Sequence, residues 1–341
     1  MITTTHQSNT IASYYSKHLA SDPSVKLIPA YSFDLEDDYI QKGLWAKVSV
    51  HLRPQILTKL VSAYLEDLVQ KNTPDALLII KGQFVSPSFL EKMKKKGIYL
   101  INYNPDHPLY FETDAPGNRN VKESIELYDL IFTYSSVIKN EISIRLPLSR
   151  IEILPFGYED SYYSSNLISD SELIRKVVFA GTADKTRSEF IKELVKNEIY
   201  VDVYGGGFNR YFTSASPYLT ICPSVSGLEY FSLLQRYMIS MNLYRQQNKG
   251  GHNMRSFEIP SVGGLQLVEY SDQMNQFFMN KEEVFLYKNP EDVYDLIYNI
   301  NQMTNAQLME MKKTTRAKTL NSKYSYKDRA MEFMKVVNSI I

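Results

Sequence analysis

Short apolar stretches alternate with longer amphipathic stretches along this chain. Six apolar segments of strand length lie in its first half, at residues 2–4, 25–30, 76–80, 98–102, 130–133 and 151–154. Apolar residues at helical spacing fill most of the gaps, at residues 11–19, 56–69, 87–95 and 136–144. This alternation is typical of parallel sheets covered by helices. It predicts an α/β fold for the first half.

The second half repeats the alternation. Its predicted strands are residues 177–180, 200–204, 219–222, 238–243, 265–269 and 284–287, and the chain after Pro290 has helical spacing to its end. Residues 155–171 between the halves lack periodicity and are rich in Gly, Ser, Tyr and Asn, as a linker is. We therefore expect an N-terminal domain at 1–158, a C-terminal domain at 172–323 and a final helix at 324–341.

Composition supports two domains and disfavours several functions. The chain has 341 residues, 44% of them apolar, which is enough for two cores. Lys plus Arg and Asp plus Glu both number 38, so no net charge attracts nucleic acid. The single cysteine, Cys222, excludes an internal disulfide and a cysteine-based zinc site and suggests a reducing compartment.

The sequence also predicts a soluble, cytoplasmic protein. The N-terminus has neither the basic start nor the apolar core of a signal peptide, and no window approaches eighteen uninterrupted apolar residues. The histidines do not form a spaced ligand set with carboxylates, so we expect no dedicated metal site. A Mg²⁺ ion held only through bound phosphates stays open.

The richest chemistry lies in residues 250–264. Gly250 and Gly251 let the backbone approach a ligand closely, and a helix is expected to start near His252. A helix start attracts phosphate, and Arg255 adds a planar set of hydrogen-bond donors. Glu258 follows about one turn later, where it can hold ribose hydroxyls. The segment therefore predicts a nucleotide-sugar site.

A strand running into a glycine turn offers a second candidate phosphate site. Residues 177–180 lead into Gly181 and Thr182, and Arg187 lies in the helix expected after them. Backbone N–H groups in such a turn can hold a diphosphate. An ordinary strand-to-helix turn explains the same residues equally well.

Three glycines follow the next predicted strand. Tyr204 precedes Gly205, Gly206 and Gly207, and Phe208 follows them. The glycines would let the backbone lie flat against a nucleobase while an aromatic ring packs nearby. A flexible turn without a ligand is the alternative.

The best candidates for proton chemistry lie in the first half, directly after a predicted strand. Asp106 and His107 are flanked by prolines at the expected carboxyl edge of that sheet. Either side chain could take a proton from an acceptor hydroxyl, which an inverting transfer requires. The alternative is a structural turn stiffened by the prolines.

These segments together resemble a known family. Residues 177–330 are similar to the C-terminal domain of CgeB-like glycosyltransferases of the GT-B fold, and fainter similarity covers the first half at residues 102–108 and 154–157. The matching segments are residues 179–182, 203–207, 241–243, 251–260, 263–264 and 267–270.

The resemblance implies two Rossmann-like domains facing each other across a cleft, with a C-terminal helix packing back on the N-terminal domain. It implies transfer of a sugar from a nucleotide-diphosphate sugar, which we expect to be a UDP-sugar, held mainly by the C-terminal domain. The acceptor is unknown, with surface polysaccharides, glycoconjugates and proteins as candidates. No cofactor is required.

The same resemblance carries ribose binding over to Glu258. Better-known retaining enzymes have a second Glu eight positions earlier, where this chain has Gly250, so His252 or Asn253 takes that space and the stereochemistry stays open. Base contact is expected near Tyr204, Gly205 and Gly206, and proton chemistry at Asp106 or His107. The residues expected to bind the diphosphate are Gly181, Thr182, Arg187, His252, Asn253 and Arg255.

Three alternative functions are consistent with the same sequence features. A nucleotide-sugar 2-epimerase on the same fold would use the sugar donor without an acceptor. A catalytically silent protein that binds nucleotide sugars is suggested by Gly250. A phage-type DNA glucosyltransferase is disfavoured by the zero net charge, although DNA as the acceptor stays a minor reading.

Overall fold

The structure is a computed structural model that describes residues 1–43, 55–110, 116–162, 167–244 and 250–340. The chain divides into two compact units, one formed by residues 1–155 and 326–341 and the other by residues 156–325. Among the described residues, each unit contains a six-stranded sheet. No helix in these ranges combines the length and the apolar run that a membrane crossing needs.

The sheet of the first unit is parallel throughout, in the order β2-β1-β3-β4-β5-β6. Its order reverses between β1 and β3, and ligands bind beyond the carboxyl ends of the strands at such a reversal. The strands are β1 Ile2–Thr3, β2 Pro29–Ala30, β3 Ala76–Ile80, β4 Tyr99–Asn104, β5 Leu130–Thr133 and β6 Ile151–Ile153.

Helices lie between most of these strands along the chain. The helices of the first half are α1 Ile11–Ala20, α2 Asp34–Gln41, α3 Gln55–Asn72, α4 Pro87–Lys95, α5 Pro116–Ser124 and α6 Ser136–Ile142. Several begin at a residue whose side chain caps the free N–H groups: Thr10 accepts from Ser13, and Ser86 accepts from Phe89.

The sheet of the second unit has the strand order of the Rossmann fold, β12-β11-β10-β7-β8-β9, and its reversal lies between β7 and β10. Its strands are β7 Ile174–Ala180, β8 Val201–Tyr204, β9 Leu219–Cys222, β10 Tyr237–Asn242, β11 Gln266–Glu269 and β12 Val284–Tyr287. Its helices are α7 Lys185–Lys196, α8 Gly227–Arg236, α9 Arg255–Ser261, α10 Asp272–Phe277, α11 Pro290–Gln302 and α12 Asn305–Asn321.

The strands at the middle of this sheet are apolar on both faces because helices cover both faces. In β7, Val177 and Phe179 pack into one core cluster, whereas Val178 and Ala180 pack into another on the opposite side. All four side chains are buried. This two-sided burial fixes where β7 ends, and therefore where the loop after it begins.

The last helix, α13 Tyr326–Val337, belongs to the first unit. Tyr326 lies against Tyr14 of α1 with ring centroids 4.8 Å apart, and Phe333 lies 4.8 Å from Phe132 of β5. Both Tyr326 and Phe333 are buried. Aromatic packing of this kind stabilises the fold by more than the burial of apolar area alone.

The predicted α/β class with two Rossmann-like sheets is confirmed, and each predicted strand is present. β2 covers only residues 29–30, rather than the expected 25–30, because the N–H of Val25 is used in a turn to the carbonyl of Asp22.

Candidate functional site

Two glycine loops meet at the carboxyl edge of the second sheet. The Gly181 N–H donates to the Tyr204 carbonyl at 2.8 Å, and the Ala183 N–H donates to the Gly206 carbonyl at 3.0 Å. A Cβ at Gly205 would lie 2.0 Å from the Gly181 carbonyl oxygen, so only glycine fits there. The glycines predicted to face a ligand thus also let the two loops pack backbone to backbone.

Arg255, at the start of α9, reaches this edge from across the strand reversal. Its Nη2 atom lies 3.0 Å from the place where a Cβ at Gly181 would be, so the guanidinium lies over the end of β7. Its Nε atom is buried and has no hydrogen-bond partner among the described residues. Buried donors are normally satisfied, and an anion at this edge would satisfy this one.

Glu258 lies one turn further along α9 and is only 8% exposed. The Tyr230 hydroxyl of α8 donates to its Oε2 at 3.3 Å. Burial raises the pKa of Glu258 to about 7, against the opposing effects of the Arg255 charge and the Tyr230 hydrogen bond. We call Gly181, Tyr230, Arg255 and Glu258 the Arg255 cluster. The cluster places the positively charged guanidinium of Arg255 near the Glu258 carboxyl group, whose pKa is about 7.

The expected helix start near His252 is wrong, because α9 begins three residues later at Arg255. The Asn253 side chain accepts from the Ser256 N–H at 3.0 Å, and the Asn253 N–H donates to the Ser256 hydroxyl oxygen at 3.2 Å. Asn253 also exchanges amide hydrogen bonds with Asn242 at the end of β10. It therefore holds α9 against the sheet.

His252 lies in an aromatic cluster inside the second unit. It is fully buried, and its Nε2 accepts from the Phe156 N–H at 3.2 Å. Phe257 and Phe277 meet its ring edge-on at 5.4 and 5.1 Å. These contacts make the imidazole part of the core that supports α9.

Arg187 also points inward and is 5% exposed. Its Nε and Nη2 donate to the Leu243 carbonyl at 3.2 and 2.9 Å, and its Nη1 donates to the Thr182 carbonyl at 3.2 Å. Asp184 pairs with the same guanidinium at 3.3 Å. Arg187 thus links the loop after β7 to the end of β10. Thr182 takes part in this link through its backbone carbonyl.

Tyr204 takes part in a hydrogen-bonded chain under the glycine loop. Its hydroxyl lies 3.1 Å from the Tyr237 hydroxyl, which donates to Asp202 at 2.7 Å. Lys176 pairs with Asp202 at 2.9 Å. Gly206 differs, because a Cβ there would have nothing within 4 Å. The open part of this loop is therefore its glycine backbone.

The first unit holds the candidates for proton chemistry. Asp106 forms an ion pair with Lys81 at 2.7 Å, which fixes its carboxylate beyond the ends of β3 and β4. His107 is 5% exposed, its Nε2 lies 3.0 Å from Glu141, and its Nδ1 accepts from the N–H groups of Leu109 and Tyr110. Burial lowers the pKa of His107. The protein thus engages both nitrogens of His107.

Sequence reasoning missed three residues that the fold positions. Tyr230 contacts Glu258 across a separation of 28 residues, and His6 contacts Asp34 across the same separation. Neither pair has a spacing that a sequence pattern can detect. Within the described ranges, no group of three His, Cys, Asp or Glu side chains could hold a metal ion.

Residues 185–335 match a family model described as glycosyl transferase-like. A comparison with curated proteins finds no match. Among solved structures, sucrose-phosphate synthase from Thermosynechococcus elongatus is similar with a TM-score of 0.64 and 10% identity, over 84% of this chain and 79% of the other.

Two further structures are similar. One is a variant of TarM from S. aureus, solved with fondaparinux, α-GlcNAc-glycerol and UDP (TM-score 0.62, 12% identity, 83% of this chain and 59% of the other). The other is UDP-N-acetylglucosamine 2-epimerase from Rickettsia bellii (TM-score 0.56, 11% identity, 99% and 95%). This chain thus spans less than two thirds of the length of TarM.

The fold is GT-B, and the matched domain is glycosyl transferase-like.

Proposed function

We propose that this protein transfers a sugar from a UDP-sugar to a hydroxyl acceptor. The observation that carries the proposal is the Arg255 cluster, where a guanidinium with a buried, unpartnered Nε lies over the end of β7. A buried carboxyl group, Glu258, follows one turn later. Diphosphate and ribose are bound by these two kinds of group.

In this proposal the cluster stabilises the leaving group. Arg255 and the N–H groups of the glycine loops bind the diphosphate, so they stabilise the negative charge that develops as the sugar departs. Glu258 accepts hydrogen bonds from the ribose hydroxyls. A Mg²⁺ ion bound through the phosphates would add to this positive charge.

The residues expected to bind the sugar donor then fall into two groups. Gly181, Thr182, Gly205, Gly206, Arg255 and Glu258 would contact it directly. Arg187, Tyr204 and Asn253 would shape the site, since their side chains form hydrogen bonds within the protein, and His252 would do so through its buried ring and the hydrogen bond at Nε2. Residues 172–323 would form the sugar-donor domain and residues 1–158 the acceptor domain.

Three finer points belong to the same proposal. The uracil base is supported by TarM, which was solved with UDP, and by the epimerase, which is named for a UDP-sugar. Membership of the CgeB-like family is supported by the segments around Gly205 and Arg255. A cytoplasmic location is supported by the low cysteine content.

A thermal-shift screen with UDP, GDP, dTDP and CMP, followed by calorimetry, tests the proposal. UDP should raise the melting temperature most, because a ligand of the folded state stabilises it. Glu258→Ala should weaken UDP binding at least about tenfold, since a hydrogen bond to a charged group contributes roughly 1.5–3 kcal/mol. The matched control is Glu229→Ala, whose side chain is exposed in the first turn of α8. Absence of binding by any nucleotide would contradict the proposal.

An epimerase is the second candidate, because this chain and the Rickettsia enzyme cover each other almost from end to end. An epimerase converts its UDP-sugar without an acceptor. Incubation with UDP-N-acetylglucosamine alone, followed by NMR of the sugar, separates the two functions. Formation of the 2-epimer would favour this candidate over transfer.

A further inference from the structure

A cavity of about 710 Å³ lies in the first unit, between the loop after β4, helix α5 and the segment after α6. This volume is within the roughly 300–1,000 Å³ of pockets that bind small ligands. The strand order of the first sheet reverses between β1 and β3, whereas the elements around the cavity follow β4 and β5. The cavity is therefore formed by a part of the unit other than the reversal at which sheets of this type bind ligands.

One wall of the cavity is a charged face of α5 and of the turn that follows it. Four side chains at helical spacing line the cavity from this side: Arg119, Lys122, Glu123 and Glu126. Arg145 lines it from the segment after α6, and all five side chains are exposed. Three positive charges from two parts of the fold thus meet two negative charges in one cavity.

The positive charges are not neutralised by ion pairs. Glu123 follows Arg119 by four residues, and Glu126 follows Lys122 by four, a spacing that permits ion pairs on a helix. Among the described residues, Arg119, Lys122 and Arg145 nevertheless form no ion pair. Their donors are therefore available to an anion. A guanidinium can bind a phosphate or a carboxylate group through two parallel hydrogen bonds.

Tyr110 adds an aromatic ring that is exposed but held in place. It lines the cavity and is 63% exposed. Its N–H donates to Nδ1 of His107 at 3.3 Å, and the centroids of the two rings lie 4.5 Å apart. His107 is held in turn by Glu141 of α6, whose Oε2 lies 3.0 Å from Nε2. The buried histidine thus places the Tyr110 ring at the cavity.

These groups together match the chemistry of a sugar chain that carries negative charge. The C–H groups on one face of a sugar ring can pack on the electron-rich face of an aromatic ring, and a tyrosine loses little side-chain entropy in such a contact. Glu123 and Glu126 can accept hydrogen bonds from sugar hydroxyls. A neutral sugar would leave the cations without an anion, and a small inorganic anion would not use the ring.

We propose that this cavity binds an anionic sugar chain, in which sugar rings carry phosphate or carboxylate groups. Tyr110 stacks on a sugar ring, and Arg119, Lys122 and Arg145 bind the anionic groups. The inference goes beyond the proposed function, because it concerns binding by the first unit and requires no transfer step.

Calorimetry with the full chain tests the proposal, with phosphorylated maltotetraose, tetragalacturonic acid and unmodified maltotetraose as probes. At least one anionic probe should bind at least about tenfold more tightly than the neutral one, and comparison of the two anionic probes identifies the preferred group. Binding should weaken between about 50 and 300 mM salt, because exposed charges are screened. Equal affinity for all three probes, or no binding of either anionic probe, would overturn the proposal.

Substitutions locate the binding in this cavity. Arg119→Ala combined with Arg145→Ala should weaken binding of the anionic probe at least about tenfold. Tyr110→Ala should weaken it about fivefold. Tyr110→Phe keeps the ring and should bind as the unmodified chain does, which separates loss of stacking from loss of structure. Unchanged affinity in the double variant or in Tyr110→Ala would overturn the assignment.

Matched substitutions elsewhere should leave the affinity for the anionic probe unchanged. Lys59→Ala combined with Lys96→Ala removes two exposed cations, one in α3 and one directly after α4. Tyr298→Ala removes a ring of α11 that is 65% exposed, close to the exposure of Tyr110. A loss in these controls as large as the loss in the cavity variants would contradict a site in the cavity.

Competing ligands complete the test. Single-stranded DNA is one, since bases also stack on aromatic rings in basic grooves. Tighter binding of a short DNA strand than of either anionic sugar chain would overturn the proposal, as would equal affinity for inorganic phosphate alone. Glu258→Ala should leave binding of the sugar chain unchanged. Failure of UDP to bind would therefore contradict the proposed function and leave this inference standing, and failure of the sugar chains to bind would do the reverse.

Discussion

Replacing Glu258 with Gln should have opposite effects on nucleotide binding and on stability. The carboxyl group is 8% exposed, and burial raises its pKa from 4.5 to about 7. Gln keeps the size and one acceptor oxygen for the Tyr230 hydroxyl, but it removes the charge. The substitution therefore isolates what the negative charge does.

The loss in binding follows from the charge. A hydrogen bond to a charged group contributes roughly 1.5–3 kcal/mol, against about 1 kcal/mol for a neutral pair. Removal of the charge should cost about 1 kcal/mol at pH 8, which is about a fivefold loss of UDP affinity. Below pH 7 the carboxyl group of the unmodified protein is itself protonated, so the difference between the two proteins should shrink.

The effect on stability has the other sign. Because the pKa is higher in the folded state, the folded protein binds the proton more tightly, and that stabilisation is lost as pH rises through about 7. A shift of this size corresponds to at most about 3 kcal/mol. Glu258→Gln should therefore become more stable relative to the unmodified protein between pH 5 and pH 8.

Urea unfolding at pH 5 and pH 8, with calorimetry of UDP binding at both values, measures both effects. Tyr230→Phe is a useful companion, because it removes the hydrogen bond to Glu258 and keeps the ring. If the two proteins show parallel stability curves and equal UDP affinity at pH 8, the reasoning on Glu258 is refuted.

Four further substitutions test three other features. Arg255→Lys keeps the positive charge but loses the planar set of donors. Calorimetry should therefore show at least about a tenfold loss of affinity for UDP and little change in affinity for uridine. Equal losses for the two ligands would argue against a diphosphate contact. Gly205→Ala should lower the free energy of unfolding by about 2–4 kcal/mol, because its Cβ would meet the Gly181 carbonyl, whereas Gly206→Ala should be tolerated. Lys312, fully buried, donates to the carbonyls of Gln235 and Tyr237. Burial lowers the pKa of Lys312 to about 7, so the stability that this side chain contributes is lost as pH falls through 7. Lys312→Met should therefore remove this pH dependence from the free energy of unfolding. Urea unfolding between pH 6 and pH 10 measures the effect.

The strands of both sheets could be predicted because each is a short apolar run with a turn at either end. Where both faces of a sheet are covered, as they are at β7, successive side chains of the strand are all buried. The apolar run in the sequence is then a strong signal for a strand. Helix α9 was placed too early because apolar spacing does not show which residue caps a helix. The residues that form reciprocal hydrogen bonds at the entry to α9 are nevertheless present in the sequence, as Asn253 followed by Ser256 three residues later.

The candidate site was predicted in part. Arg255 and Glu258 lie one turn apart on one helix, so local spacing could bring them together. His252 could not be distinguished from an exposed ligand, because only tertiary packing buries its ring among Phe257 and Phe277. The partnership of His6 with Asp34 depends on β1 pairing with β2, which no local pattern determines.

The place of α13 in the first unit has a consequence for synthesis on the ribosome. Tyr326 can pack on Tyr14 only after residues 156–325 have been made. At about 5–20 residues per second, that interval lasts on the order of 10–35 s. During this time the first unit lacks a helix that covers Tyr14, whereas the second unit is one continuous segment and can fold as it emerges. A nascent chain should therefore complete the second unit first, and the aromatic surface around Tyr14 should stay uncovered until α13 has been made.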